Sequence, residues 1–252
     1  MKRTAARARS VTATYRQIVA LMASARQFVP QDRGEAMLRK WLSRIDIGTL
    51  GEDRMVAVMA DATLLAADLL LSYPAASGAT AFDRLARSRA GAPAAEAALI
   101  TALRQARFRL LRVSDAHADA VTAHDVLSGD AVQIVGAVLP SQAPGAVLFA
   151  RVVMLGDDRG CFPGPITPLD SAALAVARDH SAAGALGAMA GVRWAEAVYA
   201  HVVQHGTLQV PGLNRPTGGV DDDLSDVDAE LFALATDWAA LARSTRPGPA
   251  AA

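Results

Sequence analysis

FRLLRVS at residues 108–114 opens a run of four apolar segments; the others are DAVTAHDVL (119–127), AVQIVGAVLP (131–140) and AVLFARVVML (146–155). Short polar or Gly/Pro-rich breaks separate them, and Val121 and Ala123 alternate with polar neighbours, which is the period of a half-buried strand. Residues 146–155 are apolar on both faces except at Arg151, which indicates an inner strand. We therefore predict a small antiparallel sheet or partial barrel at about residues 107–168.

The flanks of this region carry apolar side chains at three- and four-residue steps, the spacing of amphipathic helices. The resulting prediction is an α+β fold, a mainly helical bundle that holds the sheet as an insert. The predicted parts are a helical region (1–106), the β-module (107–168), a helical region that packs on the first (169–245) and a disordered tail (246–252). At 252 residues the chain is long enough to bury a full-sized core.

The charge of the chain is balanced overall but unevenly placed. Lys and Arg number 25 and so do Asp and Glu, so the molecule as a whole is not a polyanion binder. Residues 1–44 nevertheless carry ten Lys or Arg against two acids, whereas residues 207–252 carry three arginines against seven acids. Such an uneven distribution more often means that the charged residues pair within the chain or lie on a solvent-exposed face.

Cys161 is the single cysteine, which excludes a disulfide within the chain and a cysteine-based zinc site. The best candidate for a membrane span, Met55–Leu71, is interrupted by Asp61 and Asp68, and no uninterrupted apolar run reaches the length of a membrane span. We therefore expect a cytoplasmic protein that does not enter a membrane.

Asp61 and Asp68 lie seven residues apart on a predicted helix that is otherwise almost wholly apolar. Buried carboxylates need partners, and N-terminal arginines could supply them. The alternative is a paired-carboxylate site for acid/base chemistry or a metal. We favour the structural interpretation, and we expect Asp61→Ala and Asp68→Ala each to lower thermal stability.

His201 and His205 lie one helical turn apart, a spacing that can chelate a metal. Zinc proteases of the H-E-x-x-H type place a glutamate directly after the first histidine, but Val202 stands there. A third ligand would come from His180, Asp179 or the acidic run at 221–230, which itself lacks the spacing of a calcium-binding loop. A metal-dependent enzyme using His201 and His205 is one alternative function, although we assign no metal or cofactor.

The basic N-terminal region offers a second alternative, a nucleic-acid-associated factor that neutralises phosphates with arginine. The aromatic residues of this region, Tyr15, Phe28 and Trp41, fall on apolar helix faces, so we expect them in the core rather than stacked on bases. Nucleic acid is for this reason not the favoured partner.

The segment Asp125-Val-Leu-Ser-Gly129, followed by Pro144-Gly145 and Ala150-Arg151-Val152, resembles the small β-module of bacterial SEC-C-motif-containing proteins. The resemblance covers residues 108–166, and the cysteine-rich metal-binding tail of that family is absent. It implies an accessory β-barrel without catalytic residues and carries no zinc function over.

No phosphate-binding glycine loop or nucleophile elbow occurs in the sequence, and no catalytic residue is assigned. The function expected first is therefore that of a non-enzymatic cytoplasmic interaction protein. Its β-module or its basic N-terminal helix would engage a protein partner.

Overall fold

The computed structural model describes residues 2–46, 49–116, 120–135, 144–156, 158–181 and 188–205, with side chains from residue 13 onward except at 188 and 189. The part of the predicted helical region 169–245 that follows residue 205, the acidic run at 221–230 and the tail at 246–252 lie outside the described residues. The fold class is α+β, as predicted.

The described part of the chain forms seven α-helices: α1 (Lys2–Arg26), α2 (Gln31–Leu42), α3 (Glu52–Ser72), α4 (Ala81–Ser88), α5 (Ala94–Gln105), α6 (Ser171–Asp179) and α7 (Ala188–His205). Their bounds follow local sequence signals. The chain leaves the helical conformation ahead of Pro30, because a residue that precedes proline disfavours helical angles. At the start of α4, the Thr80 hydroxyl accepts a hydrogen bond from the Asp83 amide, and the Asp83 carboxylate accepts one from the Thr80 amide.

The same part of the chain contains six strands: β1 (Arg107–Ala116), β2 (Ala120–Asp125), β3 (Ala131–Val135), β4 (Val147–Met154), β5 (Arg159–Cys161) and β6 (Ile166–Pro168). They pair in the order β1-β2-β3-β5-β4, and β4 also pairs with β1, which closes a five-stranded barrel. β6 pairs with β4 outside this ring. The sheet is mixed rather than purely antiparallel, because β3 and β5 run parallel.

A tight turn at Ser128-Gly129-Asp130 connects β2 to β3. Gly129 has a φ of 79°, in the left-handed region that glycine adopts at low cost. The Ser128 hydroxyl donates to the Asp130 carboxylate at 2.7 Å, and the Asp125 amide donates to the Asp130 carbonyl. These bonds fix the register of the two strands.

β4 is the strand that joins the barrel to the helices, because it is buried on both faces. Leu148, Ala150 and Val152 point into the barrel, which they fill together with side chains of β1, β2 and β3. Phe149 lies on the opposite face and packs against Trp194 of α7, with ring centroids 4.9 Å apart. The prediction of an inner strand here is confirmed.

In the part of the chain that the structure describes, α3 alone has the length and composition of a membrane span. Of the relevant window, 56% is buried within the protein, as in the core helix of a bundle. The apolar character of α3 is therefore weak evidence for a membrane.

Candidate functional site

An ion pair between Asp68 of α3 and Arg151 of β4 occupies the interface of helices and barrel. Arg151 donates from Nε to Asp68 Oδ1 at 2.9 Å and from Nη2 to the Asp68 carbonyl oxygen at 2.6 Å. The Asp68 side chain is 2% exposed and the Arg151 side chain 0%. Each ion therefore supplies the countercharge that the other needs after leaving water.

Other groups form further hydrogen bonds with Asp68 and Arg151. Ser72 accepts a hydrogen bond from Arg151 Nη1, and the Tyr199 hydroxyl donates to Asp68 Oδ2 at 3.3 Å. The guanidinium carbon lies 4.5 Å from the centroid of the Phe108 ring, within the range of a cation–π contact. Burial, followed by the charge of Asp68, raises the pKa of Tyr199 well above its ordinary value. The hydroxyl therefore stays protonated and can donate a hydrogen bond to Asp68.

The connection between β5 and β6 covers the carboxylate of Asp68. A Cβ atom built on Gly164 would lie 2.7 Å from Asp68 Oδ1, closer than real Cβ contacts allow. Only glycine therefore permits this approach without a shift of the ion pair. The Asp68–Arg151 pair is enclosed by α3, α7, β1, β4 and this connection. It joins the helices to the barrel and leaves no room for a substrate beside it.

The expected partner of Asp68 was an arginine of the N-terminal region, and in this respect the expectation is wrong. Arg26 of α1 lies near enough for the charge of Asp68 to act on it, but burial is the larger effect and lowers the Arg26 pKa. Its buried Nε has no hydrogen-bond partner among the described residues. Arg151, a lone charge in an apolar strand, was the one sequence signal that could have pointed to the actual partner.

Asp61 and Asp68 do not act as a pair of carboxylates. Seven residues separate them, which is about 10 Å along the axis of a helix. Asp61 is half-buried and has no hydrogen bond or ion pair within the described ranges. Burial raises the pKa of its carboxyl group to about 7.

His201 and His205 lie together at the end of α7, with ring centroids 4.3 Å apart. Burial first, and then the charge of His205, lowers the pKa of His201, whereas Asp170 raises it. His201 Nε2 is buried and without a hydrogen-bond partner among the described residues. Over the same residues no group of three His, Cys, Asp or Glu side chains could hold a metal, so His180 and Asp179 do not complete the predicted site.

Several N-terminal cations have structural partners. Arg33 of α2 donates to the Pro74 carbonyl at 2.7 Å, and Lys40 forms an ion pair of 2.6 Å with Glu196 of α7. Tyr73 donates its hydroxyl proton to the same carboxylate at 2.6 Å. Burial raises the pKa of Glu196, but these hydrogen bonds outweigh it and the net pKa is lowered. These cations tie α2 to the segment that follows α3 and to α7, a role that their sequence positions did not reveal.

The aromatic residues of the N-terminal region lie where the sequence predicts. Trp41 is 1% exposed within the core, and Tyr15 and Phe28 pack partly buried against a second apolar cluster. Cys161 belongs to that cluster, and burial raises the pKa of its thiol to about 12. A thiol that stays protonated at neutral pH is a poor nucleophile.

The first three strands of the barrel leave one face open to solvent. This outer sheet face consists of Arg112, Ser114, Asp115, Thr122, His124 and Gln133, of which Thr122 alone is half-buried. Arg112 pairs with His124 and Thr122 with Gln133 across the strands, so the side chains form two adjacent rows. The adjoining turn carries Leu127, one of the large apolar side chains that remain exposed, at 46%.

No protein-family model matches the chain, and neither a curated protein nor a solved structure shows significant similarity to it.

Proposed function

We propose that the chain is a non-enzymatic cytoplasmic interaction protein that binds a protein partner through the outer sheet face. The observation that carries this proposal is the unequal covering of the barrel. β4 is buried against the helices, whereas the outward side chains of β1, β2 and β3 remain accessible. A face held rigid by a closed barrel loses little conformational freedom when it binds.

The chemistry of the face favours a polar protein surface that places a carboxylate opposite Arg112. Arg112 provides a cationic group and Asp115 an anionic one, while Ser114, His124 and Gln133 provide hydrogen-bonding groups and Leu127 offers an apolar anchor at the margin. Protein interfaces combine such an apolar contact with a polar surround. The enclosed Asp68–Arg151 pair and the protonated Cys161 thiol support a non-enzymatic role.

The cytoplasmic location rests on two observations. The lone cysteine is a free thiol, which is typical of proteins in reducing compartments. The most apolar helix, α3, is mostly covered by the rest of the protein.

Affinity capture from the native cytoplasm at low salt, with and without nuclease, tests this proposal. We expect a partner protein to be captured even after nuclease treatment. This capture should be lost in the double variant Arg112→Glu/His124→Glu. Arg54→Glu, an exposed charge reversal on α3, is the matched control and should leave capture unchanged. Equal capture by the double variant and the control would reject the outer sheet face as the binding surface.

Nucleic-acid binding is the second candidate function, and the barrel itself favours it. Five-stranded Greek-key barrels include a class that binds oligonucleotides on the face of strands 2 and 3. Arg112 and His124 lie on the corresponding face here, but no aromatic side chain does among the described residues, so bases lack a stacking platform. Binding by this face or by the N-terminal arginines would weaken steeply with salt and disappear after nuclease treatment.

The contact between His201 and His205 favours a third candidate, a metal-dependent enzyme. Elemental analysis of protein purified without an affinity tag tests it, with His205→Ala as the comparison. A stoichiometric transition metal that His205→Ala removes would support the candidate, and metal-free protein would reject it.

A further inference from the structure

A surface cavity of about 390 Å³ lies among α1, α5 and the strands β3, β4 and β5. Its walls are mostly aliphatic and include Leu99 of α5, Val135 of β3, and Met154 and Leu155 at the end of β4. This volume falls in the range of cavities that hold small organic ligands.

One cation, Arg159 of β5, also lines the cavity. Its Nε is buried and has no hydrogen-bond partner in the described part of the chain. Its position is fixed by the backbone, because the Leu155 amide donates to the Arg159 carbonyl at 2.7 Å. The buried Arg151, by contrast, has its charge and its hydrogen bonds satisfied within the protein.

A buried Nε–H group without a hydrogen-bond acceptor beside aliphatic walls is a costly arrangement unless something else satisfies it. A carboxylate matches a guanidinium in charge and in geometry, since the two can form parallel hydrogen bonds. An apolar body attached to that carboxylate would bury itself against Leu99, Met154 and Leu155 and gain the free energy of apolar burial.

We propose that this cavity binds a small amphipathic carboxylate, with its anionic group on Arg159 and its aliphatic or aromatic body along the walls. The inference adds a ligand site to the proposed function and does not depend on the outer sheet face. A purified protein and a small molecule suffice to test it, so its failure is distinguishable from the absence of a protein partner.

Isothermal titration with octanoate as the probe provides the test, and 1-octanol serves as the uncharged ligand of equal chain length. We expect wild-type protein to bind one octanoate per chain. Its affinity for octanol should be lower by a factor of about ten or more. Arg159→Gln should weaken octanoate binding by a similar factor and leave octanol binding unchanged. Arg107→Gln, which neutralises an exposed arginine elsewhere on the barrel, should change neither.

A further variant tests the location. Ala98→Phe places a ring at the exposed wall of the cavity and should abolish binding of both ligands, while circular dichroism confirms that the fold is kept. Absence of octanoate binding to the wild type would overturn the proposal, and so would equal octanoate affinity in Arg159→Gln. Unchanged binding in folded Ala98→Phe would also reject the cavity as the site.

Discussion

Asp61 and Asp68 occupy the same helix and differ in one respect, the presence of a partner. Asp68 is enclosed with Arg151, whereas Asp61 is half-buried and unpaired among the described residues. Removing the Asp68 carboxylate therefore leaves the buried charge of Arg151 without a countercharge. Removing the Asp61 carboxylate instead eliminates a charge that burial disfavours. The sequence-based expectation that both substitutions destabilise is retained for Asp68 alone.

We predict that Asp68→Asn lowers the free energy of unfolding by about 3–5 kcal/mol, because it leaves the Arg151 charge buried without compensation. Urea denaturation followed by circular dichroism measures this loss. Asp46→Asn, at an exposed position, is the matched control and should stay within about 0.5 kcal/mol of the wild type. A loss below about 1 kcal/mol for Asp68→Asn would contradict the central role of the ion pair.

Asp61 should impose a pH dependence on stability. Its folded-state pKa is about 7 and its ordinary value 3.8, so the folded state holds the proton more tightly than the unfolded state. Stability from this group is complete below about pH 3.8 and is lost as the pH rises through about 7.

We therefore predict that Asp61→Asn is more stable than the wild type at pH 8 and that this advantage shrinks toward pH 5. Melting temperatures of both proteins at the two pH values provide the measurement. An advantage that is constant across this range would show that the Asp61 carboxyl titrates as it does in water.

The connection between β5 and β6 illustrates how one element constrains another. Gly164 approaches Asp68 so closely that a methyl group would displace the carboxylate from Arg151. Gly191 lies inside α7, and a Cβ atom there would meet nothing within 4 Å.

We predict opposite effects for the two glycine substitutions. Gly191→Ala should raise the free energy of unfolding by about 0.5–1 kcal/mol, since alanine loses less conformational freedom than glycine in a helix. Gly164→Ala should lower it by about 1–3 kcal/mol, the usual cost of forcing atoms into a packed interior. Chemical denaturation of both variants checks the signs, and a stabilising Gly164→Ala would contradict the close approach.

Secondary structure was the most predictable level of this protein. The three- and four-residue spacing of apolar side chains predicted helical regions on both sides of the β-module, where all the described helices lie, and alternation at Val121 and Ala123 located β2. The parallel pairing of β3 with β5 could not be predicted in the same way, because strands as short as Arg159–Cys161 carry no periodicity of their own. Arg151 was visible as an exception in an apolar strand, but its partner depends on how the barrel docks against the helices.

The cavity at Arg159 was beyond sequence analysis for the same reason. Its walls come from α1, α5, β3, β4 and β5, which only the tertiary fold brings together. His201 and His205, by contrast, are neighbours in a single helix, so their contact followed from their spacing.

At the scale of the whole molecule, the barrel and the helices share the apolar core at their interface, while the interior of the barrel holds a cluster of its own. Phe149 of β4 contacts both Trp194 and Tyr199 of α7, with Tyr199 in turn bound to Asp68 of α3. A sequence division at residues 107 and 168 separates segments of the chain, but it does not separate this core. Neither part can unfold without exposing apolar surface and the buried ion pair of the other.

We therefore predict that barrel and helices unfold as one cooperative unit. Hydrogen exchange measured by mass spectrometry at increasing urea should give the same midpoint for peptides of β2 and β3 as for peptides of α3 and α7. Phe149→Ala should shift all these midpoints together, at a cost of about 3–5 kcal/mol, because it opens a cavity in the shared core. Barrel peptides that become exposed at lower urea than α3 would instead identify the β-module as an independent domain.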